Sequence, residues 1–319
     1  MLAKYWEKRR RKFSLWLDYR HREVCHLAAA TRGKTKVDKR PMISMRQLGR
    51  QGRFGNWMFQ YMFLKCYALK HDLQVQTPHW PGHVLFDCND PLPTVTLPTS
   101  AHSQEQEISL LQQDEAITSV DFTGYFQYHT RVYAPYQNYI RELLTPRRNL
   151  VKQLDSAIQQ ILPSGSTLVG LHIRRGDFGA DQFYITPTSW YVQLLQQIWP
   201  TLHKPVLYIA TDEPQKVLND FEDYHPTSAK DLGLQLLQTP YFLDFYVLTQ
   251  AQVLAIPNST FSFVAAMLNR NLQEAYRSHL SDPLESPPFR QIDPWHCDVL
   301  DRHIRVENFP NVAGIGRTT

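Results

Sequence analysis

Cysteine is scarce in this chain of 319 residues: Cys25, Cys66, Cys88 and Cys297 lie far apart, without zinc-ligand spacing. No disulfide framework or zinc module can be built on them, and they read as reduced, mostly buried thiols of a cytoplasmic protein. Long apolar runs are also missing. None approaches the ~20 residues that cross a bilayer, and the first residues lack the apolar core of a secretory signal. No internal repeat or low-complexity tract occurs, which excludes a repeat array. What remains is ordinary for a globular protein, 43% apolar and 20% charged, and long enough for two domains with their own cores.

The net charge of +4 is unevenly spread. Residues 1–40 hold 13 Lys or Arg against 4 acids, while the rest holds 21 against 26. Within this basic arm Leu2, Trp6, Phe13, Trp16, Leu17, Val24 and Leu27 recur at helical steps. Such a helix could lie on an anionic membrane surface. The alternatives are a helix packed on the body, a disordered extension, or attraction to nucleic acid; no nucleic-acid partner is expected.

Along the chain, strands are predicted at 42–48, 73–76 and 122–128, with a helix at 56–71 and irregular structure over 78–103. A helix at 140–162 ends at the break Pro163-Ser164-Gly165-Ser166. Strands follow at 167–172, 206–210, 234–237 and 253–256, alternating with helices at 188–199, 214–222, from Leu243 and after Ser259. Alternating strands and helices predict α/β architecture with doubly wound parallel sheets.

The densest chemistry follows the apolar strand 167–171, in His172-Ile173-Arg174-Arg175-Gly176-Asp177. Ligands of open α/β sheets bind beyond the carboxyl ends of strands. Two guanidinium groups there suit a diphosphate, whose oxygens match the planar fork of donors. The plain alternative is an ion-paired, solvated strand end.

Two more segments share a pattern with it. Gly52-Arg53-Phe54-Gly55-Asn56-Trp57-Met58-Phe59-Gln60-Tyr61 resembles the opening motif of the α-1,2-fucosyltransferase family. The His-x-Arg-Arg-x-Asp segment resembles the motif common to α-1,2-, α-1,6- and protein O-fucosyltransferases. Asn258-Ser259-Thr260-Phe261-Ser262-Phe263-Val264-Ala265-Ala266 resembles that family's C-terminal segment. Asp121-Phe122-Thr123-Gly124-Tyr125-Phe126-Gln127 adds a weaker likeness. The resemblance spans about residues 43–272, with departures: Trp57 stands for the usual Gln, Phe263-Val264 for a Trp pair, and 78–119 match nothing.

The resemblance implies a GT-B-like fold of two facing Rossmann-like domains with the active site in the cleft. The divisions are a basic arm (1–40), an acceptor-side domain (41–160), a GDP-fucose-binding domain (161–282) and a tail (283–319). It implies metal-independent, inverting transfer of fucose from GDP-fucose to a glycan hydroxyl, in the first instance the 2-OH of a terminal galactose. Animal relatives are Golgi proteins with an N-terminal anchor; with no such segment visible, a cytoplasmic protein, at most peripheral to the inner membrane, is expected.

By motif, Arg174 is expected to stabilise charge on the leaving diphosphate. Arg175 supports its loop and approaches the fucose, and Asp177 orients the arginines rather than acting as base. Asp244 and His172 bracket guanine, Asp244 with helix capping as the alternative and His172 with a satisfied strand-end histidine. Ser259 and Thr260 meet the phosphates at a helix start, or only cap it. Gly52 and Gly55 let the opening loop bring its backbone near the diphosphate, while Arg53 and Asn56 are donor contacts or cap and surface groups. The base is assigned to Asp181, beside Gln182 where the α-1,6 branch has its acid, with Asp212 and Glu213 as rivals. No cofactor or metal is expected, and Asp87-Cys88-Asn89-Asp90 reads as surface. The other functions open to the chain are a nucleotide-sugar-binding protein without transfer, a fucosyltransferase of different linkage, and a polyanion- or membrane-binding protein acting through its arm.

Overall fold

Four short strands open the fold: β1 (Met42–Ser44), β2 (Gln74–Gln76), β3 (Thr99–Ala101) and β4 (Val120–Thr123), all parallel in the order β2-β1-β4-β3. The computed structural model of the chain describes residues 40–179, 183–280 and 289–301, in a compact unit that begins at Arg40. The arm up to Lys39 and the Asp181–Gln182 pair lie outside the described residues. Between β1 and β2 runs α1 (Phe54–His71), apolar on nearly every side and buried along most of its length. It ends where Asp72 turns left-handed at φ 51° and the Leu73 N–H returns to the Ala68 carbonyl at 3.0 Å. The short helix α2 (Gly82–Leu85) and strand β3 fall within 78–103, which is more ordered than expected, and the helix α3 (Gln104–Leu110) follows.

Helices α4 (Gln137–Leu143) and α5 (Arg148–Ile161) replace the single helix expected at 140–162. Pro146 explains the break, since it lacks an N–H and disfavours helix in the residue before it. Leu154, Ala157 and Ile158 form the buried stripe of α5, and Tyr246 donates to Asp155 Oδ1 at 2.7 Å, tying α5 to the second half.

The second sheet holds β5 (Thr167–Ile173), β6 (Pro205–Thr211), β7 (Val253–Ile256), β8 (Glu274–Ser278) and β9 (Phe289–Gln291) in the order β6-β5-β7-β8-β9. Only β9 is antiparallel. Helices α6 (Thr188–Ile198), α7 (Pro214–Val217), α8 (Tyr241–Leu248) and α9 (Thr260–Leu268) connect the strands. β5 is mostly apolar because both its faces are covered, Thr167 and His172 being the exceptions. Val169, Leu171 and Ile173 join Leu207, Ile209, Val253 and Ala255 in a core under Tyr191 and Leu195 of α6. The opposite face, with Leu168, Tyr208 and Leu254, joins α8, α9, α1 and the first sheet in one continuous core.

Three expectations fail. The stretch 234–237 is not a strand: Thr227 already exchanges hydrogen bonds with Leu207 and Ile209 on the free side of β6, and Leu237 is 89% exposed. The strand at 122–128 stops at Thr123, because Gly124 (φ 158°) and Phe126 (φ 52°) turn the chain. Phe126 then stacks on Phe63 at 3.8 Å between centroids. Residues 289–301 are no tail, since β9 covers the edge of β8 and Trp295, Val299 and Leu300 are buried. Among the described residues no helix is long and apolar enough to cross a membrane.

Candidate active site

The carboxyl ends of β5 and β6, the first turn of α8 and the starts of α1 and α9 surround one cleft of about 580 Å³. Gly55 lets the two helix starts meet: a Cβ there would lie 2.6 Å from both the Phe261 nitrogen and the Thr260 carbonyl carbon. The glycine is required by this close approach between the two halves, and it also lines the cleft. Gly52 serves the turn before α1 with φ 82°. Convergent helix N-termini direct unpaired backbone N–H groups and positive dipole ends into one place.

Arg174, 17% exposed, stands in this cleft with its plane held from two sides. Its Nη1 donates to Asp212 Oδ2 at 2.6 Å and its Nη2 to Asp177 Oδ1 at 2.7 Å. The other oxygen of Asp177 receives Arg53 Nη2 from the first half at 2.8 Å. Asp177 therefore bridges the two arginines. Asp212 is equally committed, its Oδ1 accepting the Arg175 backbone N–H at 2.9 Å. A Cβ on Gly176 would collide with the same carboxylate at 2.4 Å. A guanidinium has five N–H donors, so two ion pairs leave it others for an anion.

Arg175 goes elsewhere. Its Nη1 donates to the carbonyls of Arg174 and Thr186 at 2.9 and 3.0 Å, and it is absent from the cleft lining. It braces the loop and turns away from this cleft, because adjacent side chains leaving a strand point to opposite faces. Glu213 is likewise outside the lining and pairs with Lys216 at 2.9 Å.

His172 and Asp244 form the buried floor. His172 is hydrogen-bonded through Nδ1 to Ser262 Oγ at 2.7 Å, and burial pushes its pKa down to about 3. The ring is neutral near pH 7, with Nε2 open to the cleft. Asp244 lies in the first turn of α8 but is not its cap, a position held by Pro240. Burial raises its pKa to about 6, against the lowering effect of the Tyr208 hydroxyl, which donates to Oδ1 at 2.7 Å. Its second oxygen is left for a ligand. Ser259 caps α9 in position, yet its side chain makes no capping bond. Thr260 follows it at the cleft wall.

Arg53 and Asn56 shape the start of α1. The Arg53 backbone N–H donates to Asn56 Oδ1 at 2.9 Å, and Asn56 Nδ2 reaches Gln127 Oε1 at 2.8 Å. Sequence reasoning missed Tyr241, Phe261 and Phe183 as lining residues, since aromatic side chains carry no motif of their own. It also missed Ser262, though a hydroxyl one helical turn into α9 could have been paired with the motif His. Trp57 lines the cleft with its indole N–H buried and unpartnered.

Among the described residues no cluster of three or more His, Cys, Asp or Glu is placed to hold a metal ion. The 87–90 segment is not simply surface: Asp90, 6% exposed, binds Lys65 Nζ and the Tyr61 hydroxyl, each at 2.6 Å. Asn258 is buried, with its amide exchanging hydrogen bonds with the Asp301 backbone, so the sequon it heads is not a surface acceptor.

Comparison with protein-family models gives no match, and neither does comparison with curated protein sequences. Solved structures do match. The NodZ α-1,6-fucosyltransferase soaked with GDP-fucose superposes with a TM-score of 0.54 at 14% identity, covering 80% of this chain and 99% of that one. A mutant of Arabidopsis thaliana FUT1 in complex with GDP gives 0.56 at 11%, covering 82% and 76%. POFUT1 in complex with GDP-fucose gives 0.51 at 11%, covering 76% and 99%. At these identities the likeness is one of architecture: the chain has the two-sheet, Rossmann-like GT-B fold found in these fucosyltransferases.

Proposed function

We propose that the chain transfers fucose from GDP-fucose to a glycan hydroxyl with inversion, the 2-OH of a terminal galactose being the first candidate. The observation that carries this reading is Arg174, fixed by two carboxylates where two helix N-termini converge. A preorganised cation and oriented N–H groups stabilise charge developing on a leaving diphosphate without reorganising. Ser259 and Thr260 supply phosphate donors, and Arg53 closes the site from the first half. Asp244 offers its free oxygen to the paired N–H donors of guanine, and His172 Nε2 holds the base beside it. GDP-fucose and GDP are the ligands of the like-folded enzymes, which supports this assignment. No metal is required, since the arginines and helix termini provide the positive field. Asp181 is proposed as the base that takes the acceptor proton.

The engaged state of Asp177 and Asp212 favours one alternative, a nucleotide-sugar binder without transfer, because neither carboxylate is free to act as base. GDP release from GDP-fucose, measured with and without galactose-terminated acceptors, separates the two. Acceptor-dependent turnover supports transfer. Tight GDP binding without turnover supports the alternative, and absence of both removes the donor assignment.

A further inference from the structure

A second cavity, of about 500 Å³, opens at the carboxyl end of β8. Its walls come from both halves, Ile108 and Tyr128 from the first, Arg277, Arg290 and Ile292 from the second. It neighbours the nucleotide cleft through one hydrogen-bonded link. Asn258, next to Ser259, exchanges bonds of 3.1 and 2.9 Å with the backbone of Asp301, which lines the second cavity.

The unusual feature is a pair of like charges. Arg277 and Arg290 stand directly opposite each other in the antiparallel β8–β9 register, an arrangement that is destabilising on its own. Neither has an ion-pair partner among the described residues. The nearby Asp301 carboxylate is taken by His279 Nδ1 at 2.9 Å. Asp298 offers Arg277 its backbone carbonyl, not its carboxylate. The Arg277 guanidinium also lies over the Phe263 ring, 5.9 Å from its centroid, so its position is set before any ligand arrives. Asp298 and Asp301 also line the cavity, but with no ion pair to either arginine among the described residues the two adjacent guanidinium groups can meet an anionic oxygen group. Tyr128, Ile108 and Ile292 supply apolar surface of the kind that packs against the C–H face of a pyranose.

We infer that this cavity is the acceptor subsite and that it takes an acidic saccharide, a sugar bearing a carboxylate or a sulfate. The inference rests on the glycosyltransferase reading, and extends it from the donor to the charge of the acceptor. Arg290 is the residue to change, because it is exposed and its side chain makes no hydrogen bond or ion pair among the described residues.

The test is calorimetric titration of the GDP-saturated protein with galactosyl-galactose, its monosulfate, and galacturonosyl-galactose. At least one acidic ligand should bind ten-fold or more tighter than the neutral disaccharide; which of the two does so identifies sulfate or carboxylate. Arg290→Gln should bring the ligands within about two-fold of each other, with GDP affinity unchanged and the melting temperature equal or raised, since the repulsion with Arg277 is relieved. Equal binding of all three, no binding of any, or a preference that survives Arg290→Gln would overturn the inference. GDP affinity, read in the same titrations, reports on the donor assignment separately: GDP bound without acid preference removes only the subsite, whereas no GDP binding removes the nucleotide reading itself.

Discussion

Arg174 and Asp244 solve opposite electrostatic problems a short distance apart. Arg174 keeps its plane because Asp177 and Asp212 hold both terminal nitrogens. Arg174→Ala should abolish transfer and strongly weaken GDP binding, since removal of one such donor costs about 3 kcal/mol or more, roughly a hundred-fold in kcat. Arg174→Lys should recover little, because a point charge cannot span two carboxylates and a phosphate. Near-normal turnover in the Lys variant, measured at saturating donor, would remove Arg174 from the mechanism. Asp244 is the reverse case, a carboxylate that burial holds back from ionising until about pH 6. Its folded pKa lies above the ordinary 3.8, so the folded state loses stability as pH rises through the window between those values. At neutral pH the cost is about 3 kcal/mol at most, at roughly 1.4 kcal/mol for each tenfold. In the proposed role, Asp244 accepts from guanine in its ionised form. The preference for GDP over ADP should therefore fade as pH falls below about 6, and Asp244→Asn should erase that preference while raising the melting temperature of the ligand-free protein. Competition titrations at pH 5 and pH 8 decide it; an Asn variant with native GDP preference would return Asp244 to a structural role.

Among the elements, α1 and α9 matter most, because the cleft exists only where their N-termini meet. Gly55 makes that meeting possible, and no motif reading of a Gly-rich turn distinguishes a ligand approach from a helix approach. Gly55→Ala places a Cβ 2.6 Å from the backbone of Thr260 and Phe261, too close for any rotamer change to relieve. The helices must separate, and overpacking of this kind costs typically 1–3 kcal/mol. A lowered melting temperature together with a ten-fold or greater loss of GDP affinity is expected. Loss of stability alone would show that the convergence shapes the core and not the ligand site. The elements also show where sequence patterns stop being informative. β5, β7 and α9 are local in origin, set by an apolar run or a hydroxyl-led apolar stretch, and they occur where their patterns predict. The 234–237 segment carries a strand-like pattern and forms none, since Thr227, distant in pattern, takes the edge of β6 first.

For the whole molecule, ligand binding and folding are linked, because the cleft joins residues from both halves. GDP at a hundred times its Kd should add about 2.7 kcal/mol to stability, seen as a raised melting temperature that Arg174→Ala abolishes. Transfer should persist in excess EDTA. Loss of activity on chelation, restored by manganese or magnesium, would show that the arginines and helix termini do not suffice. Acid should weaken the fold for a separate reason: burial holds the His172 pKa near 3, below its ordinary 6.5, so stability present above 6.5 is lost as pH falls toward 3. The sequence by itself determined the alternation of strands and helices, and it marked His172, Arg174, Asp177, Asp244, Ser259 and Asn56, because short-range periodicity and motif spacing are properties of neighbouring residues. Only the tertiary structure decided that Arg175 turns away, that Asp212 locks Arg174, that Gly55 carries a helix crossing, and that Arg277 faces Arg290. Each of these depends on which distant segments share a sheet edge or a helix end, and such juxtaposition is written in the packing of the core, not in any local run of residues.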